Sequence, residues 1–188
     1  IEFIEEIDKL KKICRQTLLM DGSRNENDAE HSWHLALMAM VLSEYSPEKL
    51  DVCRVIKMLL IHDLVEIDAG DTFCYDEKAN EDKEDREQKA AERIFGLLPS
   101  DQGKEFRELW EEFEERKTPE ARFAASIDRM QPLLCNYHTN GHTWVKYDVK
   151  YDKVIKRMEP IKEGAPVLWD YILEILEDSI EKGYLKRK

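Results

Sequence analysis

Hydrophobic residues recur at three- and four-residue steps along most of the chain, and this spacing is typical of amphipathic α-helices. The pattern predicts a first helix over residues 4–18 and a second over 29–42. The second segment is apolar nearly all round after its first turn, and Asn27 or Asp28 can cap its start. Because a helix that is apolar on every face is buried, we expect the second helix to be central.

Turn-forming and capping residues divide the rest of the chain into further helical segments. These segments are predicted over 52–63, where Asp51 offers a start, and over 90–98, 104–115, 118–134 and 167–180. No segment shows the alternation of a strand, and there is no repeat of fixed period. The sequence therefore predicts an all-α fold with about seven to nine helices. We expect one domain over residues 1–188, with core motifs over 4–135 and C-terminal helices over 148–183 packed on them.

The charge of the chain limits its partners. Its 188 residues include 29 Lys and Arg against 41 Asp and Glu, which gives a formal net charge of −12. Such a chain repels a phosphate backbone, and no basic stretch precedes the last few residues, so we expect no nucleic-acid partner. An anionic substrate must therefore be attracted by local cations or by a metal ion.

The cysteines and the N-terminal residues indicate a cytoplasmic protein. Cys14, Cys53 and Cys135 each lie in an apolar helical pattern, and no C-x-x-C pair occurs. We therefore expect free, buried thiols in a reducing compartment. Residues 1–6 are too acidic for a signal peptide, and no apolar run approaches the length of a membrane span, so no membrane partner is expected.

Four side chains on apolar helices form a candidate metal site. An apolar run over 58–61 ends in His62 and Asp63, His31 lies in the first turn of the second helix, and Asp128 lies among apolar neighbours. Burying such groups without partners costs several kcal/mol, and a divalent metal would neutralise them. Imidazole and carboxylate ligands suit a first-row divalent ion, and four ligands leave positions open for water or phosphate. Open positions indicate catalysis rather than a structural metal.

Each candidate also has a simpler interpretation. His31 can be a residue of the helix start, and Asp128 can pair with Arg122 or Arg129. His34, one turn after His31, is expected to support the site rather than to bind the metal. The coincidence of four ligands favours the metal site.

The order and spacing of these ligands resemble a known family. His31, then His62-Asp63, then Asp128, on consecutive helices, are similar to the H…HD…D pattern of the HD-domain metal-dependent phosphohydrolases. The strings over 26–32 and 62–71 resemble those of the small bacterial 5′-deoxynucleotidases and their eukaryotic relatives. The resemblance covers about residues 4–135 and implies an all-helical, often dimeric protein with one bound divalent metal.

The resemblance also implies roles for single residues, which are metal ligation by His31, His62, Asp63 and Asp128, catalysis by Glu66, and contact with the sugar by Asp71. The family carries an arginine-tryptophan pair in its first helix. This chain has Arg15-Gln16-Thr17 in that region, so the arginine is present and the tryptophan is not, which leaves the sugar preference open.

Two arginines are candidates for binding the substrate phosphate. Arg15, or Arg24 in the loop before His31, can neutralise phosphate charge through a bidentate contact. For Arg24, a salt bridge with Glu26 or Asp28 is an equally good interpretation.

The expected function is removal of the 5′-phosphate from (deoxy)nucleoside monophosphates by a metal-activated water, with Glu66 managing protons. The metal can be Mn, Co, Fe, Ni, Zn or Mg, and a homodimer is expected. Glu66-Ile67 differs from the Glu-Asp pair of guanosine-tetraphosphate hydrolases, and no histidine occurs between His62 and His138 to build a dinuclear phosphodiesterase site. The alternatives are hydrolysis of another small phosphate ester or nucleotide, or a non-catalytic helical binding module with a buried polar network.

Overall fold

The computed structural model describes residues 1–188 and contains eleven α-helices and one small antiparallel sheet. The helices are α1 Glu2–Ile7, α2 Asp28–Leu42, α3 Val52–Ile61, α4 Glu66–Ala69, α5 Lys83–Phe95, α6 Ser100–Glu115, α7 Pro119–His138, α8 His142–Lys146, α9 Tyr151–Met158, α10 Ile161–Gly164 and α11 Pro166–Glu181. Nine of them have five residues or more, which confirms the predicted all-α fold. None combines the length and the apolar character needed to cross a membrane.

The prediction of one helix over residues 4–18 is wrong in its second half. Helix α1 ends at Ile7, a 3₁₀ turn follows over Asp8–Lys12, and strand β1 (Cys14–Leu18) pairs with β2 (Asn25–Asn27). The turn between the strands is closed by the Leu19 N–H, which donates to the Arg24 carbonyl at 2.9 Å. The Arg15 side chain on β1 points inward, and the Glu26 side chain on β2 is buried. The hairpin therefore brings charged groups into the interior.

The core holds α2, α3 and α7 together. One cluster of 34 buried hydrophobic residues extends from Phe3 to Leu185. Each of the three helices begins at a side-chain cap that accepts a backbone N–H, since Asn27 accepts from Glu30, Asp51 from Arg54 and Thr118 from Ala121. These caps confirm the predicted helix starts.

Helix α2 is buried on one side only, contrary to the expectation of full burial. Leu35 and Ala39 are completely buried. The opposite face leaves Trp33, Met40 and Val41 exposed by 61%, 58% and 70%. The helix is therefore central in its contacts but also presents an apolar outer face.

All four cysteines are free, as predicted, but only Cys135 is buried. Cys14 is exposed because β1 replaces the predicted helix, and Cys53 is exposed in the first turn of α3. The expectation of buried thiols at these two positions is wrong.

Candidate metal centre

The four candidate ligands meet at one point, where the start of α2, the end of α3 and the middle of α7 approach each other. His31 Nε2 lies 3.2 Å from Asp128 Oδ1 and 4.0 Å from Asp63 Oδ2. His62 Nε2 lies 3.1 Å from Asp63 Oδ1 and 3.7 Å from Asp128 Oδ1. His31 is completely buried, and His62 and Asp63 are nearly so.

The hydrogen bonds of the two histidines fix which ring nitrogen is free. His31 Nδ1 lies 3.1 Å from Gln131 Oε1, and His62 Nδ1 lies 2.9 Å from the Leu59 carbonyl. The Gln131 amide is oriented by Glu26, because its Nε2 donates to a carboxylate oxygen at 2.7 Å. Both acceptors can only accept, so each neutral imidazole carries its proton on Nδ1 and directs the lone pair of Nε2 toward the carboxylates.

This donor set fits a divalent cation. A lone pair that faces a carboxylate oxygen is repelled unless a proton or a cation lies between them, and His62 Nε2 has no hydrogen-bond partner. Burial opposes protonation of His31, but hydrogen bonds with Asp128 and Glu26 outweigh it and raise the pKa of the imidazole to about 9. The site therefore strongly attracts positive charge, and two nitrogens with two carboxylates are ligands that zinc and other first-row ions accept.

A second acidic group adjoins the first. Asp28, Asp63 and Glu66 place carboxylate oxygens within 4.8 Å of one another. Arg15 Nη1 donates to Asp63 Oδ2 at 3.0 Å and to Asp28 Oδ1 at 3.2 Å. Burial, and then the charges of Asp63 and Asp28, raise the pKa of Glu66 well above its usual range, and its Oε2 has no partner. Glu66 can therefore hold a proton beside the candidate ligands.

One pocket opens onto both groups. Six of the predicted site residues line it and so face the same space, namely Arg15, His62, Asp63, Glu66, Asp71 and Asp128. Burial raises the pKa of Asp71 in this pocket. The predicted contact of Asp71 with a substrate is therefore sterically available.

The structure does not bring Arg24 into the pocket. Its guanidinium donates two hydrogen bonds to Glu30, at 2.6 and 2.8 Å, on the outside of α2, and the side chain is half exposed. Arg24 is therefore a surface residue, and its partner is Glu30 rather than the expected Glu26 or Asp28.

The simpler interpretation of Asp128 is also not supported. Arg122 pairs with Glu48 at 2.7 Å, on the surface. Arg129 lies 3.8 Å from Asp128 Oδ2, while Oδ1 of the same carboxylate faces the two histidines. The carboxylate is therefore directed at the candidate metal centre.

Sequence reasoning missed several residues of the pocket. The sequence indicated Asp28 only as a helix cap or a partner of Arg24, although burial and the Asp63 charge raise its pKa to about 6. The other omissions are cations and aromatic rings that line the pocket, namely Lys83, Arg116, Arg129, Arg157, Phe73, Tyr75 and Trp144. Some of these residues lie close to predicted site residues in the sequence, since Phe73 and Tyr75 follow Asp71 and Arg129 follows Asp128.

Gln131 connects the two histidines of α2 to the core. Its side chain contacts His31, Glu26 and, at 3.3 Å, His34 Nδ1, which supports the prediction that His34 has a supporting role. Replacing Gln131 by leucine removes the acceptor that holds the proton on His31 Nδ1. We expect metal affinity to fall about 10- to 100-fold.

Metal titration of chelator-treated protein measures this change in affinity. Gln102→Leu, at an exposed position of α6, is the matched control. Unchanged affinity in a folded Gln131→Leu protein would show that this hydrogen bond does not orient the imidazole.

Comparisons with known proteins agree with the motif. A family model described as HD domain matches residues 7–169. The human protein 5′-deoxynucleotidase HDDC2 is 33% identical over 135 residues, which cover 71% of this chain and 65% of the human protein. A protein of the same name from Dictyostelium discoideum is 32% identical over 143 residues, which cover 73% of this chain and 75% of the relative. The chain thus spans slightly less than two thirds of the human relative's length.

Solved structures extend the similarity to nearly the whole chain. The crystal structure of a predicted metal-dependent phosphohydrolase from Magnetospirillum magnetotacticum MS-1 matches with a TM-score of 0.95 at 54% identity, covering 98% of this chain and 93% of that chain. The PH0347 protein from Pyrococcus horikoshii OT3 matches with a TM-score of 0.66 at 25% identity, covering 94% and 98%.

Proposed function

Because this chain belongs to the HD-domain family, we propose that it is a metal-dependent phosphohydrolase that removes the 5′-phosphate from deoxynucleoside monophosphates. The observation that carries the proposal is that the Nε2 atoms of His31 and His62 face the carboxylates of Asp63 and Asp128 at the edge of a pocket. The substrate class is supported by relatives named 5′-deoxynucleotidase, which are longer than this chain.

His31, His62, Asp63 and Asp128 would hold one divalent metal, whose identity among Mn, Co, Fe, Ni, Zn and Mg the ligands leave open. When bound, such an ion polarises a phosphate oxygen and makes a water nucleophilic at neutral pH. The nitrogen and oxygen donors favour the transition metals over magnesium.

Glu66 is proposed as the catalytic residue that handles protons. Its buried carboxyl lies beside Asp63 and Asp28, and this environment favours the protonated form. A proton at Oε2 can pass to the 5′-oxygen that leaves when the phosphate ester breaks. Arg15, fixed by Asp28 and Asp63, would keep these carboxylates in place, and Asp71 would contact the sugar.

Phosphate release from paired deoxy- and ribonucleoside monophosphates tests this function. Gln16 lines the pocket near the position where the family carries a tryptophan. Because the missing tryptophan leaves the sugar preference open, the deoxyribose and ribose forms are compared for each base. Release that depends on added metal and favours the deoxy substrates supports the proposal. No release from any nucleotide by metal-loaded protein would reject it and direct the search to other phosphate esters.

A homodimer is proposed from the outer face of α2. Trp33, Met40 and Val41 form an exposed apolar stripe that a single copy leaves in water. Sedimentation equilibrium tests this arrangement. The single domain over residues 1–188 is supported by the one continuous core. The cytoplasmic location and the lack of a nucleic-acid partner stay predictions.

A further inference from the structure

Three arginines beside the candidate metal centre have no close carboxylate partner. The chain contains eleven arginines, and eight of them have a carboxylate oxygen within 3.0 Å. The other three, Arg116, Arg129 and Arg157, all line the pocket described above. They come from the α6–α7 connection, α7 and α9, and are called the arginine triad below.

Two members of the triad, Arg129 and Arg157, share a single carboxylate oxygen at long distance. Arg129 Nη1 lies 3.8 Å and Arg157 Nη2 lies 4.0 Å from Asp128 Oδ2. Arg116 forms no ion pair, although Glu114 also lines the pocket. Arg129 and Arg157 therefore lie nearer to Oδ2 of Asp128, whose other oxygen faces the histidines.

Part of the triad is buried without hydrogen-bond partners. Arg129 is 3% exposed, and its only hydrogen bond goes to the Ala125 carbonyl at 2.7 Å. The Nε atoms of Arg129 and Arg116 have no acceptor. An unpaired buried charge is strongly unfavourable, so the buried Arg129, with Arg116 and Arg157 lining the same pocket, indicates that an anion binds there.

The other cations of the pocket are already neutralised. Arg15 Nη1 is bonded to Asp63 and Asp28, and Lys83 lies 3.2 Å from Glu87. A phosphate dianion that enters the pocket also meets the negative charges of Asp71 and Asp128. The triad supplies positive charge that balances them, and guanidinium groups can bind phosphate oxygens through two hydrogen bonds each.

We propose that Arg116, Arg129 and Arg157 form the subsite that binds the phosphate group of the substrate, in place of the expected Arg15 or Arg24. The identity of the substrate rests on the proposed function, whereas the binding of a phosphate dianion does not. In this arrangement Arg129 and Arg157 hold phosphate oxygens near Asp128 Oδ2, and Oδ1 of the same carboxylate faces the two histidines.

Two substitutions test the triad with little risk to the fold. Arg157 is 39% exposed on α9, and Arg116 is partly exposed at the end of α6, so both are replaced by glutamine. Arg54→Gln is the matched control, because Arg54 pairs with Glu112 and does not line the pocket. Arg157→Lys keeps the charge and is expected to restore part of the binding. Circular dichroism verifies that each variant is folded.

Calorimetry on the full, Mn-loaded chain measures binding of inorganic phosphate and of deoxyadenosine. We expect phosphate to bind about ten- to a hundredfold more weakly to Arg157→Gln and to Arg116→Gln, with deoxyadenosine binding and the control unchanged. The KM for a deoxynucleoside monophosphate should rise in the same variants.

Wild-type affinity for phosphate in both glutamine variants would overturn the proposal. Weaker phosphate binding with an unchanged KM would show that the triad binds inorganic phosphate but not the phosphate group of the substrate, which would overturn the proposal. If the wild type hydrolyses no nucleotide, the proposed function fails, and the phosphate titration still decides whether the triad binds phosphate.

Discussion

Replacing Asp63 by alanine is expected to remove the bound metal and to abolish phosphate release. Asp63 Oδ1 lies 3.1 Å from His62 Nε2, and Oδ2 lies 4.0 Å from His31 Nε2 and 3.0 Å from Arg15 Nη1. The substitution therefore removes a ligand and a partner of Arg15 together. The loss of activity should be larger than the loss of about 10- to 100-fold that is typical when a residue supporting a metal ligand is removed.

Metal content by mass spectrometry, together with kcat, measures this effect. Asp68→Ala is the control, because Asp68 lies on the same short segment but pairs with Arg93 outside the pocket. The helical circular dichroism signal should be largely retained, since Asp63 lies in the turn after α3 rather than in a helix. Retained turnover in Asp63→Ala would reject the assignment of the ligands.

Replacing Glu66 by glutamine is expected to lower kcat about 10²- to 10⁴-fold while metal content stays that of the wild type. Glutamine keeps the size of the side chain and removes the proton that Oε2 can transfer. The measurement is kcat with the metal saturating, with Glu84→Gln on the exposed start of α5 as control. Equal loss of metal and of kcat would instead make Glu66 a ligand.

The convergence of the candidate ligands was predictable from the sequence because its signals are local. His62 and Asp63 directly follow the apolar helix α3, and His31 follows a capping box of Asn27 and Glu30, so caps and hydrophobic spacing indicated where both histidines lie. Helix boundaries place His31 at the start of α2 and His62 just after the end of α3, and the apolar neighbours of Asp128 predict its burial in α7. The sequence alone therefore indicates that these candidate ligands lie together.

The hairpin was not predictable from spacing. The apolar positions Ile13, Thr17 and Leu18 continue a helical period, yet β1 pairs with β2 and closes over α2. Pairing with a second segment and the contacts of Arg15 with Asp28 and Asp63 outweigh the local preference. Spacing along one segment contains no information about such partners.

The arginine triad was also not predictable from spacing along single segments, because its members come from different parts of the chain. Arg116 lies in a left-handed conformation at the end of α6, with φ of 54°, and Arg157 lies on α9. Packing of α6 and of α9 against α7 brings both into the pocket that Arg129 lines. The partner of Arg24 was not predictable either. Glu26, Asp28 and Glu30 all lie near it in the sequence, and the folded structure shows that the partner is Glu30.

Phosphate release by chelator-treated protein, with single divalent metals added back, tests the central claim most directly. The account predicts no release from deoxynucleoside monophosphates without metal, restored release with one or more of the transition metals, and no restoration in Asp63→Ala. Release that is equal with and without metal, or equal in wild type and Asp63→Ala, would contradict it.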